Sequence, residues 1–130
     1  MFTINKNIVV DLNGHTLNGA ILPSIGDITV KNGWIKNADN SISAIEINSG
    51  KLNLTNVNIE SARHAIRIDG DVQAVIDGGT YKVVPVDGKT VHAINVSGNA
   101  NVVIKNGEFI KLTENIAACN LEIIMGSNTV

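Results

Sequence analysis

Glu46, Arg67 and Asn95 are the residues of this chain best placed to act on one molecule together. Each stands third in a recurring tetrad: Ala44-Ile45-Glu46-Ile47, Ala65-Ile66-Arg67-Ile68 and Ala93-Ile94-Asn95-Val96. The residue just before each tetrad is Ser43, His64 or His92. If the tetrads stack, a carboxyl, a guanidinium and two imidazoles line adjacent columns, a set able to give and take protons. Glu46 and Arg67 are then the weak catalytic candidates, with His64 or His92 as proton shuttles. The plainer reading, which we favour, is a cross-strand ion pair that neutralises the ladder.

Other constellations are thinner. His64 and His92 as stacked neighbours lack a third ligand, so no metal site is expected. Asp77-Gly78-Gly79 does not extend to the glycine-rich nonapeptide that binds calcium, and no cofactor is implied. His15 falls beside a turn and is expected in solvent. Cys119 is expected to be a small buried side chain, since one cysteine permits no internal disulfide. Trp34 is predicted to point outward by the alternation of its segment, which makes it a possible contact surface for a sugar or a partner chain. Asn95-Val96-Ser97 matches a glycosylation acceptor, a pattern that short sequences produce by chance.

The elements that would position these residues follow from a repeat. Five stretches, "VVDLNGHTL", "ITVKNGWI", "LNLTNVNI", "AVIDGGTY" and "VVIKNGEF", share apolar positions two apart followed by Asn or Gly. The apolar triplets read Val10, Leu12, Leu17; Ile28, Val30, Ile35; Leu52, Leu54, Ile59; Ala74, Ile76, Tyr81; and Val102, Ile104, Phe109. Two residues after each second apolar position stand Gly14, Asn32, Asn56, Gly78 and Asn106. Gly and Asn take positive φ most readily, so this column predicts a structural turn at one fixed place per repeat. Glycines at 50, 70 and 98 predict a second turn.

Each repeat therefore holds three short strands, and the second apolar positions lie 18, 24, 22 and 28 residues apart. A constant core with a variable loop is the mark of a solenoid. Every copy reads in the same chain direction, which argues for parallel stacking rather than hairpins, and no stretch has helical periodicity. The expectation is an all-β chain, a single parallel β-helix of about five to six coils with three short sheets, wound right-handed as parallel crossovers are. Residues 1–109 make the regular coils. Residues 110–130 form a last coil or cap, with Ile123, Met125 and Val130 as a loose sixth triplet.

Ten basic and twelve acidic residues leave a net charge of −2, which gives no footprint for nucleic acid or an anionic membrane. No segment has the length of an apolar span, and the first residues lack the order of a signal peptide.

On its three-strand coil and Asn/Gly bend, the chain from Phe2 to Phe109 resembles the right-handed parallel β-helix superfamily typified by pectate lyases and phage tailspikes. The resemblance implies that, in an enzyme, Glu46 and Arg67 would serve as acid and base around a uronic acid sugar, often with calcium. Against that stand a single carboxylate on the face, short loops of which 82–92 is the longest, and a stack only about 30 Å tall. The resemblance equally implies a structural virion protein, and the start of the first strand at Phe2 leaves a coil edge that expects a neighbour. The leading expectation is a non-enzymatic bacteriophage element, a β-helical capsid decoration, head-fibre or tail-fibre piece at the virion surface. It is expected as a homotrimer or within a capsid or tail assembly. The alternative is a carbohydrate-binding or polysaccharide-lyase-like β-helix that is secreted or displayed on a bacterial surface, with a cell-surface polysaccharide as partner.

Overall fold

Alternating apolar and polar residues send one side of each strand inward, and chain reversal at small residues brings the next strand round to enclose the same interior. The computed structural model describes residues 2–4, 7–23, 26–84, 91–109 and 120–123. These are strands and turns, with no helix among the described residues: β1 Phe2–Ile4, β2 Ile8–Asp11, β3 Thr16–Asn18, β4 Ile21–Pro23, β5 Asp27–Asn37, β6 Ile45–Ser61, β7 Ile66–Val83, β8 Ile94–Ser97, β9 Asn101–Phe109 and β10 Asn120–Ile123. Every pairing between them is parallel, and the strands stack as a β-solenoid of about four turns.

Three faces result. The first stacks β1, β4, the starts of β6 and β7, and β8. The second stacks β2, the first half of β5, the middles of β6 and β7, the start of β9, and β10. The third stacks β3 with the ends of β5, β6, β7 and β9. Inward side chains form buried columns: Ile21, Ile45, Ile66 and Ile94 on the first face; Ile28, Leu52, Ala74 and Val102 on the second; Ile35, Ile59, Tyr81 and Phe109 on the third. Each large aliphatic member contributes about 1.5–3 kcal/mol by burial. The coil that carries Tyr81 carries the small Ala74 on another face.

Four turns replace the five to six coils expected, because five copies of the third strand bracket only four revolutions. Of the loose sixth triplet, Ile123 lies in β10, which pairs with β9, whereas Met125, Val130 and Cys119 lie outside the described residues.

The frame of the first repeat also differs. Val10 pairs with Val30 and Ile8 with Ile28, so the first coil is displaced by two residues from the alignment of triplets. The extra length sits in the corner. Leu12 to His15 occupy the place that Asn32 and Gly33 take in the next coil. His15 N–H donates to Leu12 O at 2.8 Å, and Asn13 and Gly14 have φ of 51° and 79°, as a type I′ turn requires. This is a hairpin turn without a hairpin: β2 and β3 do not pair with each other, and both pair with β5. Leu12 fills the widened corner over Gly33, where a Cβ would lie 2.3 Å from that of Leu12.

Candidate functional site

On the first face Glu46, Arg67 and Asn95 are register partners in three successive coils. Glu46 Oε1 accepts the N–H of Ser43 at 2.8 Å, closing its own loop instead of pairing across the strand. Among the described residues no ion pair joins it to Arg67, and Asn95 is buried, which also removes it as a glycosylation acceptor. An open depression of about 480 Å³ lies beside them, lined by Leu22, Pro23, Glu46, Arg67 and Asp69. The second carboxylate of this face, Asp69, corrects the count of one. Its position two after Arg67 in an alternating strand was the available signal.

Ser43, His64 and His92 stack just before these strands. The two imidazoles lie with ring centroids 5.8 Å apart and planes at 24°. His92 N–H donates to His64 Nδ1 at 2.9 Å, so the neutral ring of His64 carries its proton on Nε2. Burial, then the charges of Arg63 and His92, holds the His64 pKa down to about 4 from 6.5. An imidazole so depressed is a weak base at neutral pH and a structural acceptor. Among the described residues no group of three His, Cys, Asp or Glu is arranged to hold a metal.

The sign of the pH effect follows. Between about 6.5 and 4 the unfolded chain holds a proton at His64 that the folded chain resists, so stability is complete above 6.5 and declines as pH falls to 4. Protonation of the unfolded chain is expected to remove up to about 3 kcal/mol over that window. Denaturant titrations at a series of pH values should give a shallower slope for His64→Gln than for the wild type. Identical slopes would detach the effect from His64.

The corner between the second and third faces has its own polar column. Asn32, Asn56 and Gly78 have φ of 60°, 50° and 85°, and Gly14 joins them in the coil below. Asn106 does not. In the fifth coil the pairing slips by one residue after Ile76 and Ile104 and returns by Thr80 and Glu108, and the positive φ falls on Gly107 at 145°. Asn106 Nδ2 instead donates to Asp77 Oδ1 at 2.9 Å. Asn58, which the repeat did not single out, bridges three coils: its Nδ2 donates to Gly33 O at 3.4 Å and its Oδ1 accepts Thr80 N–H at 3.0 Å. The side chain thus supplies hydrogen bonds at a corner where the backbone ladder from Thr55 to Ile59 is interrupted. The arrangement is a scaffold joint.

Trp34 on the third face is 47 % exposed, between Thr16 below and Asn58 above in the register. His15, at the turn below, is exposed as well. Comparison of the chain with known protein families, curated proteins and solved structures returns no match, so its assignment rests on the β-solenoid itself.

Proposed function

We propose that this chain is a non-enzymatic structural element, a β-helical decoration or fibre piece at the surface of a bacteriophage virion, assembled as a homotrimer. One observation carries the structural part of the reading. The groups best suited to chemistry are engaged in holding the coil: Glu46 caps the Ser43 N–H, and His64, kept neutral, accepts the His92 N–H. The virion context rests on the resemblance to tailspike-like solenoids. Sedimentation equilibrium of the purified protein tests it: a mass of three chains is expected, and a monomer at every concentration would remove the trimeric element.

Trp34 favours a second reading, a surface that binds cell-surface polysaccharide, in a protein that is displayed or secreted. An aromatic ring flanked by Thr16 and Asn58 offers a platform for a pyranose ring with hydroxyl partners beside it. Because the chain has one tryptophan, its fluorescence reports this site alone. Titration with bacterial polysaccharides should shift the emission to the blue and increase protection from acrylamide if that reading holds. An emission spectrum that no polysaccharide moves would count against it. For the lyase-like version, release of unsaturated uronate that Glu46→Ala and Arg67→Ala both abolish is the corresponding result.

A further inference from the structure

We infer that the second face is the surface through which copies of this chain associate, side by side around a threefold axis parallel to the solenoid. The inference rests on the homotrimer proposed above and names the face, the register and the residues.

The outward residues of this face fall into three columns. The central one reads Val9, Thr29, Asn53, Val75 and Val103 from the first coil to the fifth, in direct register. Val9 is 60 % exposed, the most exposed of the large apolar side chains among the described residues, and the other four are half-buried. None of these five residues carries a charge. The corresponding outward column of the first face carries Glu46 and Arg67, and the third face carries Lys36, Glu60 and Lys82 in one column. Uncharged, mostly β-branched residues in a ladder make this central column inexpensive to dehydrate.

The flanks decide the occupant. At the strand starts stand Asn7, Asp27, Lys51, Gln73 and Asn101, and at the strand ends Asp11, Lys31, Thr55 and Asp77. A pure rotation about an axis parallel to the solenoid brings the strand starts of one copy to the strand ends of the next at the same height. The pairs that meet are then Asn7 with Asp11, Asp27 with Lys31, Lys51 with Thr55, and Gln73 with Asp77. No level sets like charges together, and the second level sets an acid against a base. The central column, with its valines, converges on the axis.

Variants on the outer surface separate the face from the reading beneath it. Val75→Glu brings three carboxylates to the axis, and Lys31→Glu sets Glu against Asp27. Each is expected to lower the sedimenting mass to one third, with the circular-dichroism melting curve at low protein concentration little changed. Asp27→Lys should do the same, and Asp27→Lys combined with Lys31→Asp should restore the trimer, because each chain then supplies both halves of the reversed pair. A trimer that survives Val75→Glu and both single charge reversals would overturn the face while leaving the homotrimer standing. A wild-type monomer would overturn both, and a wild-type dimer would overturn the threefold arrangement.

Discussion

Gly79→Ala is expected to cost about 3 kcal/mol or more of folding stability, the sum of backbone strain and overpacking. A Cβ on Gly79 would lie 1.9 Å from the carbonyl oxygen of Val57 in the coil below, at a φ of +102°. The obstructing atom is backbone that is fixed in the ladder, so relief requires the two coils to move apart. Gly14→Ala is the matched control. Its φ is +79°, yet nothing stands within 4 Å of its would-be Cβ. It is expected to lose only the cost of a left-handed alanine, about 1 kcal/mol. In a domain of this size the difference corresponds to a gap in melting temperature on the order of 10 °C, readable by circular dichroism. Equal losses at both positions would mean that the coils do not approach each other as described at Val57 and Gly79.

Tyr81→Ala has the other large effect, about 3–5 kcal/mol for an aromatic side chain deleted from a core that cannot collapse onto it. The ring is fully buried and stacks on Phe109 with centroids 4.5 Å apart and planes at 10°. Its hydroxyl donates to the carbonyl of Gly78 at 2.8 Å, which ties the core to the corner. Burial and the nearby charge of Asp77 push the phenol well above its usual range, so the hydroxyl remains a donor throughout any practical pH. Tyr81→Phe is expected to lose about 1 kcal/mol, the worth of a single hydrogen bond together with the orphaned carbonyl. Urea unfolding of both variants separates the two contributions. If Tyr81→Phe were as damaging as Tyr81→Ala, the corner bond rather than the packing would be the main support.

The parallel all-strand solenoid was legible because its cause is local. Ile45, Ile47, Leu52, Leu54 and Ile59 already announce in one copy which side of each strand is apolar. Four further copies, all read in the same direction, leave parallel stacking as the way to bury them. The stacking of Glu46, Arg67 and Asn95 on one face follows from the same repetition. What those side chains bond to does not. Whether Glu46 reaches across to Arg67 or back to Ser43 depends on a loop conformation that alternation does not encode.

The first coil shows most clearly where the sequence stops. Alternation has a period of two, so sliding a strand by two residues keeps every apolar side chain inward and every polar one outward. Val10 opposite Ile28 and Val10 opposite Val30 are therefore equally good patterns. Only the stacked backbone decides between them, through the fit of Leu12 over Gly33 and the turn at Asn13 and Gly14. The same holds for Asn106, where a local slip in the pairing leaves the positive φ on Gly107, and for Asn58, whose two bonds run to coils about 22 and 25 residues away in the chain. The sequence by itself determined which residues face the core and that copies of one coil repeat. The tertiary structure decided their heights and side-chain partners, because hydrogen bonds between coils fix register to single residues while burial alone fixes it only to the nearest two.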